Sequence, residues 1–382
     1  MSKPVTIKPL GAVLTASEVS GVHPASDWSR WVAAGRVPPS GEGNGYRASW
    51  AEDLAQLAAL GFNEVAITLE WADLEPESGH RDRSRIEQYR EVLQVARQLG
   101  LAPWACLIDG TLPGWFAEDE RGFVDDRSRL LLWPRHLGWM GDSFADLVAG
   151  WIPQREPVHH AVRNQLLGMG PLGGRDLDQT AKAVRAAVLA DGEAWRVLAG
   201  SAPVATYQTA RLFIPITDNL PSTERARWLD GLFRRSWGAA ITEGVVGVEG
   251  YPTTVTHLRE AFDRIIIQMR PAARIDAEGA WSPMPSGFLT EGLLTAFERT
   301  RESLPETETL AAADLVPVDD DGDAQPEHLR TMHAGALERG AAGWWQSSPI
   351  DGWHWERGFD GRGGIIDASR TERSVAAVFQ TL

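Results

Sequence analysis

Three carboxylic acids stand at the ends of strand-like segments of this sequence. Glu156 closes the run LVAGWIPQREP, Asp109 closes APWACLID, and Asp314 lies near the end of TLAAADLV. A proline cannot continue a sheet ladder and biases the residue before it toward extended backbone, so Pro157 predicts that the strand stops at Glu156 in extended geometry. Carboxyl groups in such places can donate or accept a proton. The alternative is that Glu156 is an ordinary surface residue in a loop.

The neighbours of Glu156 have two interpretations. Arg155 could steer an anionic substrate, but adjacent strand residues point to opposite faces, so it could equally be a structural residue that faces outward. His159 and His160 are consecutive and their side chains would diverge, so we expect no metal site and no cofactor.

The elements that must position these residues alternate along the chain. Runs rich in apolar and β-branched residues predict strands, and apolar residues at helical spacing predict the helices between them. The predicted strands are 9–21, 64–71, 102–109, 147–156, 203–216, 264–270, 309–316 and 340–348, and the predicted helices are 48–61, 84–100, 134–147, 181–200, 221–244, 291–304, 327–340 and 370–382.

Eight strands with helices between them predict an α/β protein, a (β/α)8 TIM barrel that forms a single domain over residues 1–382. In such a barrel the loops after the strands build the active site, so the residues that follow the strands are the candidates for chemistry. The acidic run DDDGD at 319–323 lacks the spacing of a calcium-binding loop and is predicted to be a solvated loop.

Composition excludes several partners. The formal net charge of −15 would repel nucleic acid and an anionic membrane surface. Cys106 is the only cysteine, so no disulfide can form within the chain. There is no apolar run long enough to span a bilayer and no apolar export signal. We therefore expect a cytoplasmic protein with a small-molecule substrate and leave its oligomeric state open.

Several motifs carry a resemblance to a known family. In order along the chain they are SDWSRWV, GNGYRASWAEDLAQLAALGFNEV, ITLEWADLEPESG, TLPGWF, the Arg-Glu-Pro at the fourth strand, and WWQSSPIDGWHWERGFDGRGGIIDASR. Together they resemble glycoside hydrolase family 1, the β-glucosidase type, along nearly the full length. The resemblance implies a barrel that cleaves glycosides by a retaining double displacement between two glutamates.

The resemblance assigns the acid/base to Glu156 but leaves the nucleophile missing. A gap-free placement puts Ala313 where the family has its nucleophilic glutamate, and Asp314 is the next residue. The family's arginine on the second strand falls on Ala66. Losing a carboxylate together with its cationic partner is self-consistent, because either alone would be an uncompensated buried charge.

The sugar-binding positions have changed as well. The resemblance places Glu18 at the family's glutamine of the first strand, Asp109 at its histidine of the third, and Arg155 at the asparagine before the acid/base. The remaining substrate-binding positions that it implies are Gln268 and Arg270 on the sixth strand, and Trp345, His354 and Trp355 in the last motif.

Three functions stay open from the sequence. The first is hydrolysis of an atypical glycoside or polyhydroxylated molecule, with Glu156 as acid and Asp109, Glu18 or Asp314 as base for water. The second is a non-hydrolytic acid–base enzyme of specialised metabolism, such as a cyclase, isomerase or dehydratase. The third is a non-catalytic protein that binds the ligand.

Overall fold

A closed barrel of parallel strands forms the centre of the protein. The computed structural model describes residues 8–284, 289–315, 324–360 and 363–382, so the acidic run 319–323 lies outside the described residues. The barrel strands are β1 (Leu10–Leu14), β2 (Glu64–Thr68), β3 (Ala102–Cys106), β4 (Gly150–Ile152), β5 (Ala205–Ala210), β6 (Arg264–Met269), β7 (Glu308–Ala313) and β8 (Gly343–Ser347).

Each strand pairs in parallel with its neighbours, in the order β4-β3-β2-β1-β8-β7-β6-β5. Parallel bridges from Trp151 to Val204 and from Arg155 to Tyr207 close the ring between β4 and β5. The predicted (β/α)8 TIM barrel is therefore confirmed.

Helices surround the barrel between successive strands. A typical one, Arg83–Gln98, begins at Asp82, whose carboxylate accepts hydrogen bonds from the amides of Ser84 and Arg85, and it packs Val92, Leu93 and Ala96 inward. No helix of the described residues is long and apolar enough to cross a membrane. The other α-helices are Ala16–Val19, Trp28–Ala33, Tyr46–Ala59, Trp71–Leu74, Trp133–Phe144, Pro157–Gln165, Leu177–Leu198, Leu220–Asp230, Ser236–Thr242, Leu289–Arg301, Ala324–Glu338 and Ala376–Phe379.

Shorter elements decorate this frame. Three strands form a small sheet beside the barrel, and two others form a hairpin-like pair. They are Phe213–Pro215, Ala273–Ile275 and Trp281–Pro283, and Val245–Val246 with Thr253–Thr254; helical turns of π or 3₁₀ type are Trp115–Asp119, Gly122–Val124, Ser128–Leu132, Gly231–Arg235 and Thr256–Leu258.

Many element boundaries differ from the sequence prediction, and three of the differences concern site residues or the closing helix. The predicted first strand ends at Leu14 and gives way to the turn of helix Ala16–Val19, which carries Glu18. The fourth strand is only three residues long, Gly150–Ile152. The predicted closing helix 370–382 is wrong for most of its length, because only Ala376–Phe379 is helical; Arg370 adopts a left-handed backbone and instead pairs with Asp53.

An ion pair closes the N-terminal end of the barrel. Arg264, at the start of β6, donates from Nη1 to both carboxylate oxygens of Glu64 at 2.9 Å and also pairs with Glu308. The Trp345 indole donates to Glu64 Oε2 at 2.8 Å, and it packs in the barrel interior against Trp104. The predicted substrate-binding role of Trp345 is therefore wrong: its side chain points to the end of the barrel opposite to the strand C-termini.

Strand alternation fixes which residues of β6 and β7 face the barrel axis. Leu310 and Ala312 lie in the barrel interior with Ile266, whereas Ala311 and Ala313 pack in the outer core between the sheet and the helices. The next inward position on β7 is that of Asp314.

Candidate active site

A cavity of about 650 Å³ opens at the C-terminal ends of the strands. Of the predicted site residues, Glu156, Gln268 and Trp345 do not line it: Glu156 and Gln268 are fully buried beneath it. Those that do line it are Glu18, Asp109, Arg155, Arg270, Asp314, His354 and Trp355.

Glu156 is enclosed by Arg270 from β6 and Thr209 from β5. Arg270 donates from Nε to Glu156 Oε1 at 2.9 Å and from Nη2 to Oε2, and the Thr209 hydroxyl donates to Oε1 at 2.7 Å. Burial would raise the pKa of Glu156, but the charge and hydrogen bonds of Arg270 outweigh it and hold that pKa well below its usual range. A carboxylate held in its charged form beneath the cavity is not placed to protonate a substrate.

The backbone of Glu156 corrects one expectation. Its φ of 50° and ψ of 45° are left-handed, not extended. This conformation breaks the alternation expected of a strand, so Arg155 and Glu156 both point inward and their charged groups approach to 3.7 Å. The outward, structural reading of Arg155 is therefore wrong.

Arg155 joins Asp109, at the edge of the cavity, to Thr15, which follows the first strand. Its Nη1 donates to Asp109 Oδ1 at 3.1 Å and to the Thr15 hydroxyl at 3.2 Å, and its guanidinium lies 5.4 Å over the ring of Tyr207. Thr68 donates to the other oxygen of Asp109 at 3.3 Å. Asp109 is thus tied to a cation at the cavity edge.

Asp314 is the residue at the end of β7 whose side chain reaches the cavity. Ala313, where the gap-free placement puts the family's nucleophile, faces the outer core, whereas the Asp314 carboxylate faces the cavity and accepts from Arg270 Nη1 at 2.6 Å. The family's arginine on the second strand is replaced by Ala66. In this structure the cation next to the carboxylate is Arg270, which follows β6.

A single hydroxyl connects Glu18 to Asp314. Ser348, with a left-handed backbone just after β8, donates to Glu18 Oε2 at 2.7 Å and lies 3.5 Å from Asp314 Oδ1. The nearest oxygens of the two carboxyl groups can therefore be no further apart than these two distances together. Burial raises the pKa of Glu18 to about 7, opposed by the charge of Arg155 and reinforced by that of Asp314.

Gln268 lies one layer below this pair. Its Oε1 accepts hydrogen bonds from the hydroxyls of Tyr207 and Ser347, each at 2.7 Å, and its Nε2 lies 3.4 Å from Asp314 Oδ2. The predicted direct contact of Gln268 with a substrate is wrong in this geometry, because the side chain supports Asp314 from beneath.

The cavity walls include residues that the sequence did not single out as site residues. His354 and Trp355, which were predicted, stack at 5.5 Å, and burial lowers the pKa of His354 to about 4. Ser348 was missed although it lies in the last motif, because the residues singled out there were Trp345, His354 and Trp355. Arg163 was missed although it lies one turn after His160 on the helix that follows Glu156. The further wall residues are Trp28, His159, His160, Arg163, Arg211, Trp281 and Trp353.

Across residues 8–284, 289–315, 324–360 and 363–382, no three histidine, cysteine, aspartate or glutamate side chains converge as metal ligands would.

Comparisons with known proteins agree with this fold. A β-glycosidase from Pyrococcus horikoshii superposes with a TM-score of 0.85 at 18% identity, covering 98% of this chain and 93% of that one. The glycoside hydrolase family 1 β-glucosidase from Exiguobacterium antarcticum B7 gives 0.84 at 17% identity, covering 98% and 96%. The family 1 β-glucosidase from Thermotoga maritima gives 0.81 at 16% identity, covering 98% and 96%. The chain thus has the (β/α)8 fold of family 1 β-glucosidases.

Sequence comparison reaches less far. β-Glucosidase A of Thermotoga maritima is 24% identical over 156 residues, which are 39% of this chain and 33% of that protein. The match thus spans about a third of that curated relative. No protein-family model matches the chain.

Proposed function

We propose that this barrel, built on the fold of the family 1 β-glucosidases, is a glycosidase-type acid–base enzyme for a small glycoside or polyhydroxylated molecule. The observation that carries the proposal is the contact of one hydroxyl, Ser348 Oγ, with both Glu18 and Asp314 on the cavity floor. Two carboxyl groups about 5–5.5 Å apart are the arrangement of a retaining glycosidase, and inverting enzymes need about 6.5–9.5 Å. The Ser348 contacts support the shorter separation.

Each carboxyl group has its own role in this proposal. Glu18, with a pKa near 7, gives its proton to the glycosidic oxygen as the bond to the anomeric carbon breaks. Asp314, ion-paired with Arg270, attacks the anomeric carbon and forms a glycosyl ester. Water then attacks the anomeric carbon of the glycosyl ester, Glu18 takes the proton of that water, and the bond to Asp314 breaks so that Asp314 leaves as carboxylate. Glu156 holds Arg270 in place and so positions Asp314 indirectly.

The acid role is tested by leaving-group dependence. A strongly acidic phenol leaves an aryl glycoside as its anion and needs no proton. The alcohol that leaves a methyl or other alkyl glycoside must be protonated as the bond breaks. For formation of the glycosyl ester, reported by kcat/KM, we expect Glu18→Gln to react with the aryl glycoside at near the wild-type value and with the alkyl glycoside at least about 100-fold more slowly, and to lose the fall in activity above about pH 7. The matched control is Glu243→Gln, at an exposed position outside the cavity. If Glu156→Gln shows this pattern and Glu18→Gln does not, the acid is Glu156, as the family resemblance implies.

The nucleophile is tested by trapping. A 2-deoxy-2-fluoro glycoside with a good leaving group is expected to add one glycosyl mass to the peptide that contains Asp314, and Asp314→Ala is expected to remain unlabelled. Labelling at another carboxylate, or cleavage with inverted configuration, would remove Asp314 from this role.

One observation favours a second candidate, the non-hydrolytic acid–base enzyme. Arg270 donates to Asp314 at 2.6 Å, and a guanidinium this close stabilises the carboxylate as an anion and weakens it as a nucleophile. Failure to cleave any aryl glycoside, together with Glu18-dependent exchange of solvent deuterium into a polyhydroxylated compound, would favour this function.

We further propose, from the net charge of −15, a cytoplasmic small-molecule enzyme that does not bind nucleic acid.

A further inference from the structure

Arg163 and Arg211 in the cavity wall are arranged differently from Arg155 and Arg270. Arg163 lies on helix Pro157–Gln165, between the rings of Trp28 at 4.7 Å and Trp355 at 5.1 Å. Arg211 follows β5 and stacks 4.6 Å over the ring of Trp281. Both guanidiniums thus lie over indole rings that line the cavity, so their positions are set before any ligand arrives.

Neither of these arginines forms an ion pair with a carboxylate in the described part of the chain, whereas Arg155 and Arg270 each pair with two. Arg163 donates from Nε to Asn164 at 3.2 Å, but its buried Nη2 has no hydrogen-bond partner among the described residues. The same is true of Arg211 Nε. A buried guanidinium N–H without an acceptor costs free energy, and this cost is recovered when an anion supplies the acceptor.

Two histidines connect the arginines along the same wall. His160 lies one helical turn before Arg163, His159 is next to it with ring centroids 5.7 Å apart, and the His159 ring lies 6.4 Å from Trp281. Burial lowers the pKa of both histidines well below the usual range, so they are neutral and add hydrogen-bonding groups without charge. Their buried ring nitrogens His159 Nδ1, His160 Nδ1 and His160 Nε2 also lack partners within the described residues.

We propose that this arginine wall, made of His159, His160, Arg163 and Arg211, is a subsite for an anionic oxyacid group of the substrate, a carboxylate, phosphate or sulfate. Planar guanidiniums with free N–H groups match the oxygen geometry of such groups, and the indole faces beside them suit the apolar face of a sugar ring. The substrate is then an acidic sugar derivative, not a neutral glucoside. The identification of the sugar rests on the proposed function, but the anion subsite does not require turnover.

The lowered pKa values of Arg163 and Arg211 agree with an anion site at this wall. Burial lowers the pKa of Arg163 to about 10 and that of Arg211 to about 9, since each charge is kept from water without a carboxylate in contact. The acidic groups that act most strongly on them, Asp27 on Arg163 and Glu156 on Arg211, have other partners: Asp27 accepts from the amide of Leu112 at 3.0 Å, and Glu156 is held by Arg270.

The test measures binding without chemistry. Titration calorimetry of the full chain with glucose, glucuronate, glucose 6-phosphate and inorganic sulfate separates the contribution of the anion from that of the sugar and distinguishes carboxylate from phosphate. We expect at least one of the two anionic sugars to bind about tenfold or more tightly than glucose, and rising salt to weaken that binding while leaving glucose unchanged.

Variants locate the effect. Arg163→Met and Arg211→Met are expected to lose about 10- to 100-fold in affinity for the anionic sugar, because each removes a charge-assisted hydrogen bond. Arg227→Met, at an exposed position outside the cavity, is expected to bind as the wild type does. Arg163→Lys keeps the charge without the fork and should retain part of the affinity. Unchanged thermal unfolding and unchanged glucose binding show that a variant is folded.

Two results would overturn the inference. One is equal affinity for glucose and both anionic sugars, and the other is wild-type binding of the anionic sugar by both methionine variants. Failure of the proposed function looks different: anion binding that depends on Arg163 and Arg211 but no cleavage of any glycoside would refute hydrolysis and leave the subsite standing, and cleavage of neutral glycosides without anion preference would do the reverse.

Discussion

Arg270 donates to both carboxylate oxygens of Glu156, from Nε to Oε1 at 2.9 Å and from Nη2 to Oε2. Its remaining nitrogen, Nη1, donates to Asp314 at 2.6 Å. The guanidinium of Arg270 therefore lies between the carboxylates of Glu156 and Asp314. Of these two carboxylates, only that of Asp314 faces the cavity. The arrangement makes Glu156 an anchor and leaves Glu18 as the accessible partner of Asp314.

Removing one member of the Glu156–Arg270 pair is expected to cost about 3–5 kcal/mol of unfolding free energy, because the other charge stays buried and loses its nearest counter-charge. Urea denaturation of Arg270→Met and of Glu156→Gln measures the loss. The double variant should recover part of it, since no lone charge remains. Asp178→Asn, which breaks the exposed pair with Lys182, is the control and should change stability little. Equal small effects for the buried and exposed pairs would contradict the anchor role.

Thr209→Val is expected to destabilise the protein by about 1–3 kcal/mol. Valine has nearly the same shape but lacks the hydroxyl that donates to Glu156 Oε1 at 2.7 Å, and a hydrogen bond to a buried charge is among the stronger ones. Thermal unfolding gives the comparison. Thr331→Val, on the exposed face of helix Ala324–Glu338, should stay within about 0.5 kcal/mol of the wild type. A loss no greater at position 209 than at 331 would show that the hydroxyl is not needed.

Glu18 should leave a signature in the pH dependence of stability. Its pKa is about 7 in the folded chain against an ordinary value of 4.5, so between these values the folded state binds more protons than the unfolded state. The contribution of Glu18 to unfolding free energy is therefore fully present below about pH 4.5 and is lost as the pH rises to about 7. Glu18→Gln should lack this part of the slope.

The pH dependence of wild-type stability does not isolate Glu18, because other buried acids contribute to it. Burial also raises the pKa values of Asp27, Glu70 and Asp191 to about 7, so these groups add slopes of the same sign. The informative quantity is the difference between wild type and Glu18→Gln at each pH, measured by urea unfolding. If the two curves run parallel from pH 4.5 to 7, Glu18 does not titrate as proposed.

Arg264→Met is expected to lower unfolding free energy by about 3–5 kcal/mol without changing kcat of the folded enzyme. The substitution leaves Glu64 without its cation at the N-terminal end of the barrel, and that end lies away from the cavity. Denaturation and steady-state kinetics at a temperature where the variant is folded give the two values. A fall in kcat there would mean that the two ends of the barrel are coupled. Arg330→Met, at an exposed surface pair, serves as the control for losing an arginine.

The sequence predicted the barrel well because its signals are local and repeat eight times. Runs such as EVAIT and RIIIQM become β2 and β6 at nearly the predicted positions. The failures lie where tertiary contacts override local preference. Glu156 precedes a proline yet is left-handed, because its amide bonds to Tyr207 and its carboxylate to Arg270 and Thr209. No local pattern around residue 156 contains that information.

The site was predicted in part, and the errors share a cause. Glu18, Asp109, Arg155, Arg270, Asp314, His354 and Trp355 reach one cavity, as expected of residues that follow barrel strands. Three predicted site residues do not reach the cavity: Trp345 and Gln268 face the barrel interior but lie below the cavity, and Glu156 is buried beneath it. Motif spacing does not fix how deep along the barrel axis a side chain lies, because residues two apart on a strand face the same way.

The alternation along β7 also limits how this protein could be redesigned. A glutamate introduced at position 313 would not place a carboxylate in the cavity. Its charge would be buried among the apolar residues of the outer core, and the described part of that core has no cation to pair with it. Asp314→Glu would instead lengthen a carboxylate side chain that already faces the cavity. Attempts to convert this scaffold should therefore begin at 314 and leave the alanine beside it untouched.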